Sequence, residues 1–122
     1  MKLKISSFAD VGVIEKERVV LKASVALDIG NFVVMQTAVS SGSDKVPTTD
    51  IHHTFWFPDK EISAGDLVVL YTKSGKQSDK AISDGANKAH FFYWELQHAI
   101  WNVKDRVLVV LHTPEWEYLM PE

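Results

Sequence analysis

Five histidines, at positions 52, 53, 90, 98 and 112, are the side chains here best suited to chemistry near neutral pH. Imidazole titrates in that range and binds zinc through either ring nitrogen. Their spacing argues against a shared ion. His52 and His53 are adjacent, and neighbouring side chains in a strand point to opposite faces. His90 with His98, or His98 with Glu95, can meet only through the fold, and no HExxH or His-rich tract occurs. The chain has no cysteine, which excludes thiolate metal sites, disulfides and cysteine nucleophiles. No Gly-x-Ser-x-Gly elbow is present, and Gly75-Lys76 is followed by Gln77 where a phosphate loop needs Ser or Thr. Glu115 and Glu117 lie two apart on a predicted strand, where like charges on one face solubilise an edge rather than exchange protons. These residues predict a protein that is not an enzyme, with no catalytic residue, metal or cofactor.

The aromatic and aliphatic residues carry more. His90-Phe91-Phe92-Tyr93-Trp94 places large rings on both faces of one strand. Phe92, Trp94, Trp56 and Trp101 are expected to fill a core, which leaves Phe91 and Tyr93 on a face that antiparallel sheets normally turn to water. The runs Val19–Leu21, Phe32–Met35, Leu67–Tyr71 and Val107–Leu111 are continuous rather than alternating. Whichever parity meets the core, one of each pair Val33/Val34, Val68/Val69 and Val109/Val110 faces outward. The candidate binding residues are therefore Phe91, Tyr93, Val33, Val69 and Val110. A contiguous patch of this kind exceeds what monomers usually expose, so a protein contact is expected, first of all a homodimer. The alternative is a carbohydrate- or nucleic-acid-binding module using aromatic rings beside the loop Lys73–Lys88, where Asp79 and Asp84 offset Lys76, Lys80 and Lys88. A net charge of −3 and a pI near 5.9 argue against generic nucleic-acid affinity.

The elements that must position these residues are strands. Runs at Leu3–Phe8, Arg18–Val25, Phe32–Val39, His52–Phe57, Leu67–Thr72, Ala89–Glu95, Arg106–His112 and Trp116–Leu119 are separated by turn signals, and no segment keeps a helical period. Ser40–Thr49 and Lys73–Lys88 read as long flexible loops. With 122 residues, 46% hydrophobic and 24% charged, the expectation is one domain spanning 1–122. Its fold class is all-β, an antiparallel sandwich of about eight strands. Met1–Ser7 has no apolar signal region and no run is long enough to span a bilayer, which predicts a cytoplasmic protein away from membranes.

Four motifs in order carry a family resemblance. Phe55-Trp56-Phe57-Pro58 leads through Ile62 and the Ala64-Gly65-Asp66 turn into Leu67-Val68-Val69-Leu70; Val19-Val20-Leu21 and Ile29-Gly30-Asn31-Phe32 precede it, and Ile100-Trp101-Asn102 through Asp105-Arg106-Val107 follows. Together they resemble the lamin tail domain, the immunoglobulin-like module at the end of nuclear lamins and in many bacterial proteins, here as a stand-alone bacterial or phage-type member. Phe32 stands where Trp is commoner, Lys104 where Gly is usual and Ala23 where Asn is usual. The resemblance implies an immunoglobulin-like sandwich that recognises or tethers other molecules, without a catalytic residue.

Overall fold

The computed structural model describes residues 1–82 and 85–121 as an all-β sandwich. Asp84, counted above against the loop's positive charge, lies outside the described residues. Ten strands follow in chain order: β1 (Leu3–Ala9), β2 (Arg18–Ala23), β3 (Leu27–Asp28), β4 (Phe32–Val39), β5 (Pro47–Trp56), β6 (Glu61–Ile62), β7 (Leu67–Tyr71), β8 (Ser78–Ala81), β9 (Lys88–Tyr93) and β10 (Arg106–His112). They form a five-stranded sheet in the order β1-β2-β7-β9-β8, a three-stranded sheet β10-β4-β5 and a small β3-β6 pair. Among the described residues no helix is long and apolar enough to cross a membrane.

All pairings are antiparallel except β7 with β9. The chain leaves β7, passes beyond the position of β9 to lay down β8, and returns as β9 between the two. The predicted loop Lys73–Lys88 thus contains a strand. Its four residues are all exposed and polar or small, so only pairing with β9 identifies it. Likewise β5 begins at Pro47, inside the predicted Ser40–Thr49 loop, whereas 116–119 forms no strand.

Val19, Leu21, Val68, Leu70, Phe92 and Trp94 point from the five-stranded sheet into the core, and Phe32 and Val34 meet them from the three-stranded one. Ring contacts cross the gap: Phe55 lies 6.0 Å from Trp94, and Phe57 is 5.1 Å from Phe92. Trp56 corrects an expectation. It is 50% exposed, because Phe55 and Phe57 occupy the inward parity and leave the ring between them outside. Its indole N–H donates to the Gly30 carbonyl at 2.7 Å. Trp101 is half-buried, with Phe8 at 5.0 Å and Trp94 at 6.4 Å.

Two buried carboxylates tie the loops to this frame. Glu17 is 0% exposed, and four donors converge on it. The Gly12 and Trp101 N–H groups donate to Oε1 at 2.9 and 3.2 Å; the Thr72 hydroxyl and Ile100 N–H donate to Oε2 at 2.6 and 2.9 Å. Asp66, in the predicted Ala64-Gly65-Asp66 turn, accepts from Ser63 N–H and the His90 ring on one oxygen, and from Asn87 Nδ2 and Lys88 N–H on the other. Burial by itself would raise the Asp66 carboxyl; the hydrogen bonds from Asn87, His90, Lys88 and Ser63 outweigh it and hold the group well below the usual carboxylate range. The turn near Lys104 needs no glycine there, because the left-handed residue is Asp105 at φ 61°.

Candidate functional site

The outer face of β10-β4-β5 is built by register. Across the three strands, Leu111 lies opposite Val33 and Val33 opposite Trp56; Val109, Met35 and Thr54 form the next row; Val107, Thr37 and Ile51 form the third. None of these nine residues carries a charge. Ile51 is 49% and Leu111 37% exposed, and Trp116 extends the patch by packing edge-on against Trp56 at 4.9 Å. Val33 belongs to this face, as one parity of the sequence allowed. Val110 does not: it packs against the core and its neighbour Val109 takes the outward place.

Val69, Phe91 and Tyr93 lie on the other outer face, that of the five-stranded sheet. Val20, Val69 and Phe91 form one row, and Arg18, Tyr71 and Tyr93 the next. Val69 is buried between its neighbours. Tyr71 and Tyr93 stack at 5.4 Å with 12° between their planes, and Arg18 and Lys73 sit over the Tyr71 ring at 5.7 and 5.3 Å. Gly75 rests against the Tyr93 ring so closely that any side chain there would collide with it. The five predicted binding residues are thus divided: one on the uncharged face, three on an aromatic face with cations at its margin, and one turned inward.

A third feature was invisible in the sequence. Between the inner side of the three-stranded sheet and the segment 96–103 lies a cavity of about 360 Å³. His52, His53, His98, Arg106, Gln36 and Gln97 supply its polar groups. Leu96, Ala99, Ile100 and Val103 supply the apolar wall. Adjacent histidines reach one cavity because β5 is irregular there: Gln36 pairs with His53, but Thr37 pairs with Ile51, which leaves His52 as an extra residue. Such a bulge re-aims a side chain that strict alternation would send to the other face. Burial, helped by the nearby His52, lowers the His53 pKa from its ordinary value. His52 also lies 3.4 Å from the exposed Asp50 carboxylate. The Gln36 amide donates to the Ile100 carbonyl at 2.6 Å and anchors the segment that walls the cavity. Among the described residues no three His, Cys, Asp or Glu side chains are arranged to hold a metal ion. His90, the other histidine named with His98 above, is elsewhere, buried against Asp66 at 2.7 Å. No protein-family model matches this chain, and no curated protein does.

Proposed function

We propose that this chain is a non-catalytic assembly module, a lamin-tail-like immunoglobulin-type sandwich. It pairs with a second copy of itself through the outer face of β10-β4-β5 and works in the cytoplasm. The observation that carries this reading is the charge-free face itself: three rows of aliphatic, aromatic and threonine residues ending at Trp56 and Trp116, of which Thr37 is buried and the other eight are partly or fully exposed. Apolar centres with aromatic anchors characterise protein interfaces. A two-fold arrangement lays the patch on its own copy and closes the assembly, and a specific contact buries more than about 1,000 Å². Sedimentation of the intact chain at micromolar concentration should give twice the 13.7 kDa chain mass. Val109→Lys should return the monomer with the sandwich still folded. A native protein that sediments only as a monomer refutes the reading.

A second reading attaches to the other outer face. Stacked Tyr71 and Tyr93 with Arg18 and Lys73 over the rings form the kind of platform that holds sugar rings or single-stranded bases. Quenching of protein fluorescence by an oligosaccharide or oligonucleotide, lost in Tyr71→Ala, would favour it.

A further inference from the structure

We infer that the cavity between β5, β10 and the segment 96–103 is a binding site for a small organic anion with an apolar body, its anionic end held by Arg106 and the imidazoles of His53 and His98. This is separate from the pairing face, since Gln36, His53 and Arg106 line the cavity from the inward parity of the three-stranded sheet and the face is its outward parity.

Four observations support the assignment. The inward parity of β4, β5 and β10, apolar through Phe32, Val34, Phe55 and Val110, changes character at this end. Leu108, Gln36 and His53 stand opposite one another, and Arg106 lies two residues from Leu108 on the same side of β10. Three polar side chains at core-facing positions are unfavourable for packing alone. Second, among the described residues the polar lining contains imidazoles, a guanidinium and amides but no carboxylate, in a chain whose net charge is −3; the exposed Asp50 approaches it only through His52. Third, among the described residues the Arg106 guanidinium bonds to no carboxylate: it donates to the Asp105 backbone carbonyl at 3.2 Å, while the Asp105 carboxylate bonds Lys45 at 3.1 Å. Its remaining donors are available for a bidentate contact with an anionic head group. Fourth, the bulge places His52 beside His53 at the price of one unpaired ladder position. Bulges concentrate next to sites where a side chain must be re-aimed.

The chemistry of the wall decides the rest of the ligand. Leu96, Ala99, Ile100 and Val103 offer only apolar contact, so a bare inorganic ion would leave most of the cavity unfilled. A cavity of about 360 Å³ is at the small end of ligand sites and suits a single aromatic ring or short alkyl chain bearing one carboxylate or phosphate.

The test uses the whole chain and four probes: benzoate, phenylphosphate, benzyl alcohol and inorganic phosphate. Ring-proton resonances of the five histidines are followed by NMR during titration. Benzoate or phenylphosphate should move the His53 and His98 signals saturably, with half-saturation near about 1 mM or below, and leave buried His90 unmoved. Benzyl alcohol and inorganic phosphate, each lacking one half of the ligand, should bind at least about tenfold more weakly. Arg106→Gln and, independently, His98→Gln should weaken the aryl anions about five- to tenfold. His98 is exposed on the connecting segment, so its substitution tests the site even where Arg106→Gln disturbs folding. Shifts that fail to saturate, equal binding of benzyl alcohol, or unaltered affinity in His98→Gln would each overturn the assignment.

Discussion

Glu17 should be the most sensitive single position for stability, although it lies on no predicted strand. Its carboxylate is wholly buried and accepts from two donors at each oxygen, with no cation bonded to it among the described residues. In Glu17→Gln one oxygen becomes an NH₂ group, which must face two former donors. At Oε1 both donors are backbone N–H groups; at Oε2 one is the Thr72 hydroxyl, which can rotate and accept instead. The amide therefore settles with nitrogen at the Oε2 position and orphans the Ile100 N–H. An unsatisfied buried donor costs about 1–3 kcal/mol. The surviving bonds also lose the charge assistance that roughly doubles their strength. Together these effects should make Glu17→Gln about 2–4 kcal/mol less stable. Glu17→Ala strands all four donors, about 4–12 kcal/mol gross, which overlaps the entire ~5–15 kcal/mol stability of an ordinary domain. Urea unfolding followed by tryptophan fluorescence measures both, since Trp94 and Trp101 sit close to this node. A Glu17→Gln variant within about 0.5 kcal/mol of the parent would refute the reasoning and show that water already shares these donors.

Other outcomes follow from the same structure. The Asp66 carboxyl is depressed in the folded chain, so its contribution is present above the ordinary carboxylate value of 3.8 and is lost as pH falls through the lower folded value. Urea midpoints taken from neutral pH down to about pH 2 should fall steeply in the parent and less steeply in Asp66→Asn, which starts about 2–4 kcal/mol weaker. Gly75→Ala drives a methyl group into the Tyr93 ring and should cost about 1–3 kcal/mol by thermal or urea unfolding. Replacing residues 76–86 with a Gly-Ser linker removes β8 and uncovers the edge of β9 while keeping Asn87 on Asp66; it should lower the melting temperature by several degrees, about 1–2 kcal/mol, where a passive loop would change it little.

Strand positions were legible wherever apolar runs were long: β4 and β10 match their predicted limits of Phe32–Val39 and Arg106–His112. The exposed, polar β8 offered no alternation, and β3 and β6 are two-residue pairs too short for any periodic signal. Trp116–Leu119 had the aromatic content of a strand but no partner strand among the described residues. Which parity faced outward was illegible for a physical reason. Val33 and Val34, or Val109 and Val110, are chemically equivalent, and only the opposing sheet decides between them. The cavity was hidden more deeply still. The opposite-face rule for His52 and His53 holds in a regular ladder, and nothing in their identities announces that β5 breaks register between them.

That break makes the length of β5 as informative as its composition. One supernumerary residue lets His52 join His53 at the cavity while Ile51 stays on the uncharged face; in a continuous ladder with His53 inward, His52 would turn outward and Ile51 inward. Deleting His52 would mend the ladder, keep Ile51 where it is and remove one imidazole from the cavity, so strand regularity and ligand chemistry are opposed at a single position. In any set of related chains, a one-residue gap at this point would therefore separate those that retain the cavity's chemistry from those that retain the sandwich alone.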